Sequence, residues 1–200
     1  MVKNIIGLKG TNFDLDAACA SSLYAIKMAC DELLTGKADM MLAGAVCSSD
    51  QLFIHMGFSI FHAYAAHDKK YSPLDKDSSG LVSSEGAGMI LLKRLSDAEK
   101  DGDNIIGVIS GIGLSNDGAG KFLLSPNPKG QTLAYERAYN GTISKENTSY
   151  IECHATGTPL GDVTEINSLE TFFGDNPVKL RLGSVKSIMG HMLTAAGMPS

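Results

Sequence analysis

The sequence contains no tryptophan, and aromatic residues make up only 6% of its 200 residues. Its cysteines stand at positions 19, 30, 47 and 153, irregularly spaced and without a C-x-x-C pair, which argues against a disulfide framework and a zinc site. No apolar run approaches the roughly 20 residues that cross a bilayer, so no membrane span is expected. The net charge is −5 and the basic residues form no stripe, which makes nucleic acid an unexpected partner.

Apolar and small residues are abundant instead. Hydrophobic residues make up 44% of the chain, and there are 22 glycines, a balance typical of a globular domain with a sizeable core. The first residues lack the apolar core of a signal peptide, which favours a cytoplasmic, reducing setting. Only about a dozen residues precede the motif that contains the first cysteine, and the sequence stops within an apolar helical pattern, so we interpret the chain as part of a longer domain.

Apolar periodicity alternates between strand and helix along the chain, which predicts a layered α/β fold. Residues 47–80 carry no regular pattern, and an irregular segment of that length is expected to serve a site or an interface. Helices are predicted over residues 23–34, 129–141 and 162–174 and from 190 onward, and strands over 38–46, 86–95, 104–116, 148–157 and 180–187.

The stretch DAACASS (16–22) places Cys19 at the start of the first helix, which Gly36 is expected to end. A thiol at this position meets unpaired backbone N–H groups and the positive end of the helix dipole, both of which favour the thiolate. Small neighbours leave room for a substrate to reach the sulfur. The alternative is that Cys19 is only a small buried hydrophobe. The apolar face of this helix is expected to comprise Leu23, Ile26, Cys30, Leu33 and Leu34.

Two further stretches also place reactive side chains at strand–loop–helix junctions. ECHATGTPLGD contains His154, and GSVKSIMGH contains Lys186 and His191. Such junctions gather at the carboxyl edge of the sheet in α/β folds, where a nucleophile could meet acid–base or hydrogen-bonding groups.

Other candidate ligands are interpreted as structural. Cys153 should point to the opposite face of its strand from His154, so a metal site built on that pair is not expected. The remaining histidines, His55, His62 and His67, are each interpreted as structural residues, because a nucleophile and its base need a shared geometry.

The three stretches resemble the three signature blocks of β-ketoacyl synthases, the thiolase-fold condensing enzymes of fatty acid and polyketide synthesis. PLDKDSSGLVSSEGAG (73–88) resembles a fourth block, and the resemblance covers essentially the whole chain in the expected order. It implies a thiolase-like layered α/β fold (αβαβα), present only in part. Residues 1–200 would be a central fragment of one synthase domain, with the end of its N-terminal half over about 1–95 and the start of its C-terminal half over about 96–200.

Within that family the sequence is most similar to the synthase domains of multidomain polyunsaturated fatty acid synthases, which are polyketide-like. The resemblance implies transfer of an acyl chain to Cys19 and then decarboxylative condensation with a malonyl group. His154 and His191 would bind the malonyl thioester carbonyl and stabilise the enolate. It also implies supporting roles. Lys186 would set the local charge and position His191, and Glu85 would organise the site. Thr156 and Thr158 would bind the pantetheine.

The resemblance also implies the partners. The substrates would arrive on an acyl carrier protein, whose phosphopantetheine arm belongs to the substrate, and no metal or resident cofactor is expected. A homodimer or heterodimer is expected through a thiolase-type interface, with the strand at 40–46 as the candidate because it is apolar on both faces.

Three positions depart from the family pattern: Ile188 replaces an asparagine, Ser78 an arginine and Ser84 a glycine. Three alternatives stay open. One is a non-elongating partner resembling a chain length factor, although such partners generally lack the cysteine. Another is a Cys–His acyltransferase or hydrolase, which leaves GSVKSIMGH unexplained. The third is that the chain alone has no activity.

Overall fold

The computed structural model describes residues 5–48, 52–69, 71–120, 125–141, 143–175 and 179–200. Two compact units are present. The first comprises Met1–Cys47, Gly86–Ile106 and Thr194–Pro199, and the second comprises Ser48–Glu85, Gly107–Leu193 and Ser200. In chain order the elements are α1 (Ser21–Leu34), β1 (Met40–Cys47), α2 (Leu52–Ile60), β2 (Gly86–Lys93), α3 (Leu95–Asp101), α4 (Pro128–Ala138), β3 (Tyr150–Glu152), α5 (Pro159–Phe173), β4 (Arg181–Gly183) and α6 (Lys186–Met189).

The first unit packs α1 against an antiparallel pair formed by β1 and β2, in which Met40 lies opposite Lys93. The helix ends as predicted, since Gly36 adopts a left-handed φ of 71°. The predicted apolar face of α1 is confirmed only in part, because Leu33 is buried and Leu23 and Leu34 are exposed. The other two residues of that face, Ile26 and Cys30, are half-buried. The buried face is lined instead by small residues, which allow the helix to lie close to its neighbours: Ser21, Ser22 and Ala29.

The second unit has its core between α4, α5 and the parallel pair β3–β4. Pro128 begins α4, where its missing N–H costs nothing, and the Asn127 side chain caps the helix by accepting the Lys129 N–H at 3.0 Å. Cys153 lies in this core, which confirms that it points away from the predicted site. The core also contains Ala155, Leu169, Phe172 and Phe173.

Three secondary-structure predictions are wrong. Residues 104–116, all of them described, form no strand, although their β-branched side chains favour an extended chain. The segment 47–80, whose residues 49–51 and 70 lie outside the described residues, contains the helix α2. The final helix predicted from 190 is only a 3₁₀ turn, Leu193–Ala195, because Gly190 adopts φ 76° and ψ −173° and breaks the helical path.

None of the described helices combines the length and the apolar character that a membrane crossing requires.

Candidate active site

Cys19 lies in a 3₁₀ turn, Ala18–Ala20, that leads directly into α1. Ala18 has a left-handed φ of 51°, which is unfavourable for a residue with a Cβ. The Ser21 hydroxyl bridges the turn: it donates to the Ala18 carbonyl at 2.7 Å and accepts the Ala17 N–H at 2.9 Å. The structure therefore confirms the predicted placement, a half-buried thiol at the positive end of a 14-residue helix.

His154 directly follows β3, at the turn that the sequence predicted. Ala155 is also left-handed, with φ 36°. Glu165, from α5, accepts the backbone N–H of His154 at 2.6 Å and that of Ala155 at 2.7 Å. The carboxylate is buried, and desolvation raises the pKa of Glu165 against the opposing effect of these two donors. This bridge fixes the backbone from which the His154 ring projects.

His191 is completely buried, and its backbone bonds fix its orientation. Its N–H donates to the Val82 carbonyl at 2.7 Å, and its carbonyl accepts the Ser84 N–H at 3.0 Å. The ring Nδ1 accepts the Leu193 N–H at 2.9 Å, so the neutral ring carries its proton on Nε2. This Nε2–H is buried and has no hydrogen-bond partner among the described residues. It is a preoriented donor that a substrate oxygen can satisfy.

The rings of His154 and His191 lie edge to face, with centroids 5.4 Å apart and an interplanar angle of 79°. Desolvation, followed by the charge of Lys186, lowers the pKa of His191 to about 4. The pKa of His154 is also lowered, first by desolvation and then by the charges of His191 and Lys186. Because the His154 side chain keeps a solvent-accessible face, screening limits the size of its shift but not its direction. Both rings are therefore neutral at pH 7.

Lys186 begins α6 and is only 3% exposed. Its positive charge contributes to the lowered pKa of both histidines. The preceding residue, Val185, donates its N–H to the Glu152 carboxylate at 2.5 Å, which anchors α6 to the end of β3. The roles expected of Lys186, in setting the local charge and in positioning His191, stay predictions.

Thr156 and Thr158 lie on either side of Gly157, and their hydroxyl oxygens are 2.8 Å apart. Gly157 has φ 85°, and a Cβ at this position would lie 2.6 Å from the Gly80 carbonyl, so no larger residue fits the turn. Both hydroxyls are partly buried beside the His154 backbone. Their predicted role in substrate binding stays a prediction.

The turn that carries the threonines is clamped on both sides. The Gly157 carbonyl accepts the Ser78 hydroxyl at 2.7 Å and the Gly80 N–H at 2.8 Å. The buried Asp162 carboxylate accepts the Gly157 N–H at 3.1 Å and the Leu74 N–H at 2.7 Å. Ser78, which departs from the family pattern, therefore has a defined structural partner.

Sequence reasoning missed the part played by Asp162 and Glu165. Both are buried on the first turns of α5 and satisfy backbone donors of the preceding loop. The available signal was the pair of acidic residues three positions apart at a helix start, where carboxylates favour the positive end of the dipole. That pattern indicates a helix terminus and does not reveal which loop the carboxylates hold.

The other departures and supporting residues have different surroundings. Ile188 is 87% exposed, so its side chain does not line the histidine pair. The Ser84 hydroxyl is buried without a hydrogen-bond partner in the described part of the chain, and its side chain would lie 3.1 Å from a Cβ at Gly190. Glu85 is exposed and accepts a hydrogen bond from Ser48 at 3.4 Å. Its predicted organising role stays a prediction.

The three remaining histidines stand apart from the pair in different ways. His55 Nδ1 lies 2.6 Å from the Tyr64 hydroxyl, an arrangement that joins α2 to the following loop. His62 and His67 are exposed. Their interpretation as structural residues is consistent with these surroundings.

Comparison with known families gives two matches that together span almost all of the chain. Residues 1–98 match the model of the β-ketoacyl synthase N-terminal domain, and residues 106–200 match that of the β-ketoacyl synthase C-terminal domain.

Curated relatives are similar in sequence to this chain over nearly its whole length. Two different polyunsaturated fatty acid synthase subunits of Thraustochytrium sp. are among them. One is 39% identical over 201 residues, which cover 98% of this chain and 7% of the relative. The other is 40% identical over 195 residues, 96% of this chain and 9% of the relative. A phenolphthiocerol/phthiocerol polyketide synthase subunit of Mycobacterium tuberculosis is 37% identical over 199 residues, which cover 96% of this chain and 10% of the relative.

Solved structures show the same relationship. The PfaC keto synthase–chain length factor superposes with a TM-score of 0.92 at 60% identity, over 96% of this chain and 21% of that one. The ketosynthase from module 6 of the bacillaene synthase of Bacillus subtilis 168 superposes with a TM-score of 0.92 at 35% identity, over 98% of this chain and 36% of that one. The chain thus spans a small part of each of these relatives.

Proposed function

Because the chain belongs to the β-ketoacyl synthase family and has its thiolase-like α/β fold, we propose that it carries the nucleophile and the two histidines of a decarboxylative condensing site. The observation that carries this proposal is the histidine pair. Two neutral rings lie 5.4 Å apart, and one holds a buried Nε2–H without a partner in the described residues. A preoriented donor of this kind suits the oxygen of an enolate.

The first half-reaction uses Cys19. Its thiolate attacks the carbonyl carbon of an acyl thioester on the carrier's phosphopantetheine, and the carbon–sulfur bond to pantetheine breaks. The acyl group is then bonded to Cys19, and the pantetheine sulfur leaves and takes a proton. The N-terminal end of α1 supports the thiolate, and the backbone N–H of Cys19 is one donor to the tetrahedral oxyanion.

The second half-reaction uses the histidines. A malonyl thioester binds with its carbonyl oxygen toward the N–H groups of His154 and His191. The bond between the α-carbon and the carboxylate carbon breaks, and carbon dioxide leaves. The electron pair of that bond forms the enolate. The α-carbon then attacks the acyl-Cys19 carbonyl and expels the thiolate, which leaves a 3-oxoacyl group on the carrier. The lowered pKa of His191 keeps its ring a neutral donor throughout.

Substrate recognition falls to the turn between β3 and α5. We propose that Thr156 and Thr158 bond the amide groups of the pantetheine arm, since their hydroxyls are already fixed 2.8 Å apart. The acyl carrier protein is thus the proposed partner, and no resident cofactor is required by these steps. A dimer through the strand β1 is proposed on the same family basis.

The subtype that we propose is polyunsaturated fatty acid synthesis. It is supported by the 39% and 40% identity to the two Thraustochytrium proteins. One solved relative is a keto synthase–chain length factor protein, so a non-elongating partner is the second candidate. The presence of Cys19 together with both histidines favours the condensing half of such an assembly.

The test separates the half-reactions in a complete synthase domain carrying this sequence. Cys19→Gln is expected to abolish acyl loading and condensation while malonyl decarboxylation persists or rises. His154→Ala and His191→Ala are each expected to allow some loading but to lower condensation by roughly a hundredfold or more, the usual effect of removing an oxyanion-type donor. Intact-mass detection of the acyl-enzyme and release of carbon dioxide are measured side by side.

The matched control is Cys30→Ala, because Cys30 lies on the same helix and burial raises the pKa of its thiol. This variant is expected to load and condense normally. Condensation by Cys19→Gln, or normal elongation by both histidine variants, would show that the assignment is wrong.

A further inference from the structure

The carbonyl of the peptide unit between Ala18 and Cys19 accepts two donors from Ser21, its backbone N–H and its hydroxyl. The Ser21 hydroxyl donates to the Ala18 carbonyl at 2.7 Å, and that carbonyl belongs to the same planar peptide unit as the Cys19 N–H. The same hydroxyl accepts the Ala17 N–H at 2.9 Å. Together with the Asp16 carboxylate, which accepts the Ala18 N–H at 2.8 Å, these bonds hold Ala18, whose φ of 51° is unfavourable without outside support. Ser21 is itself buried, at 5% exposure.

This contact has two consequences for the Cys19 N–H. Because a peptide unit is planar, fixing the direction of the carbonyl also fixes the direction of the N–H. Because hydrogen bonds in a chain polarise one another, a donor on the carbonyl oxygen makes the N–H a stronger donor in turn. The effect acts on the peptide group and not on the sulfur.

We propose that Ser21 is a positioning residue for acyl transfer: its hydroxyl holds the left-handed Ala18 turn and thereby orients and polarises the Cys19 N–H toward the tetrahedral oxyanion. This inference rests on the proposed function, in which Cys19 accepts the acyl group. It adds a residue whose action passes through the backbone and that does not contact the substrate.

The experiment compares two reactions of the same thiol in the complete domain. Single-turnover acyl loading from a saturating acyl carrier protein depends on the oxyanion donor, whereas alkylation by iodoacetamide depends on the thiolate alone. Ser21→Ala is expected to slow loading about fivefold, the usual value of one hydrogen bond, and to leave the alkylation rate within about twofold of the parent. Ser21→Thr keeps a hydroxyl at this position and is expected to restore loading.

Ser22→Ala is the matched control. Ser22 is the next residue, is also buried, and accepts the Gly197 N–H at 3.1 Å, so its replacement removes one partly buried hydrogen bond without affecting the Ala18 turn. It is expected to lower the melting temperature as Ser21→Ala does but to load at the parent rate.

The inference is overturned if Ser21→Ala loads like Ser22→Ala, if Ser21→Thr stays slow, or if alkylation slows in proportion to loading. Cys19→Ala distinguishes this from failure of the proposed function. If Cys19→Ala still acquires an acyl group, the proposed function is wrong. If it does not, and Ser21→Ala loads normally, only the role of Ser21 is wrong.

Discussion

At the scale of single residues, the protonation of His191 links the site to folding. Its pKa is near 6.5 in an unfolded chain and is lowered to about 4 in the fold by desolvation and the charge of Lys186. As the pH falls below 6.5, the unfolded state therefore binds a proton before the folded state does. The free energy of unfolding decreases over this range, until the pH reaches the folded pKa of about 4. Between pH 7 and pH 5 the expected loss from this one group is about 2 kcal/mol.

The measurement is denaturant unfolding of the complete domain at pH 7 and pH 5, for the parent and for His191→Asn. The asparagine oxygen can accept the Leu193 N–H in place of Nδ1 but does not titrate. Between the two pH values the variant is expected to lose about 2 kcal/mol less unfolding free energy than the parent. The pH dependence that His154 contributes remains in both proteins. His67→Asn, at an exposed position, is the control. Equal pH dependence in the parent and His191→Asn would contradict the linkage.

The paired hydroxyls of Thr156 and Thr158 give a second prediction at this scale. Each neutral hydrogen bond is worth about 1 kcal/mol, so the double change Thr156→Val and Thr158→Val is expected to lower kcat/KM for carrier-bound substrates on the order of tenfold or more. Thr171→Val removes an exposed hydroxyl that bonds only within α5, to the Asn167 carbonyl at 2.7 Å, and should leave the kinetics unchanged. Unaltered kinetics in the double variant would remove pantetheine binding from these residues.

At the scale of elements, Glu165 joins α5 to the turn that carries His154. Glu165→Gln keeps the shape of the side chain but places an NH₂ group against one of two backbone donors. Leaving one buried N–H unsatisfied is expected to cost about 1–3 kcal/mol of unfolding free energy. Denaturant unfolding is compared with Glu170→Gln, an exposed position on the same helix that is expected to be neutral. A loss in Glu170→Gln as large as that in Glu165→Gln would contradict the bridge.

The same scale shows which features of the fold the sequence could predict. The helix over 162–174 agrees with its pattern, because one-sided burial leaves a period in the residues. The strands at 40–47 and 86–93 also agree with their predictions, because short apolar runs of this length are typical of buried strands. α2 was missed because its residues are apolar on nearly every side, which leaves no period to detect. Residues 104–116 have strand-forming side chains, but a strand also needs a partner, and pairing is set by the tertiary structure.

The candidate site also has features that the sequence could predict and features that it could not. The placement of Cys19, His154 and His191 at turns could be predicted because the junctions that carry them have characteristic residues. The tautomer of His191 could not, because it depends on the left-handed Leu193, with φ 44°, whose N–H reaches Nδ1. The bridges from Ser21, Asp162 and Glu165 depend on burial and on loop direction, and neither is visible in the spacing of residues.

At the scale of the whole molecule, one face of the β1–β2 pair presents a row of exposed apolar side chains. Leu42 and Leu91 lie directly opposite each other in the register, 38% and 64% exposed. Surfaces of this kind mark an interaction site or an aggregation liability. The row comprises Met40, Leu42, Val46, Met89 and Leu91.

The 200-residue chain on its own is therefore expected to associate in water, and to be inactive in condensation. Light scattering coupled to size-exclusion chromatography should find species larger than one 21.1 kDa chain. The paired change Leu42→Lys and Leu91→Glu places opposite charges across the strands and should raise the monomer fraction, since cross-strand charge pairs are tolerated while exposed apolar rows are not. Leu34→Lys removes an equally apolar side chain that is 78% exposed on α1, outside this row, and should leave association unchanged. A cooperatively melting monomer of the parent chain, or equal rescue by Leu34→Lys, would show that this face does not drive association.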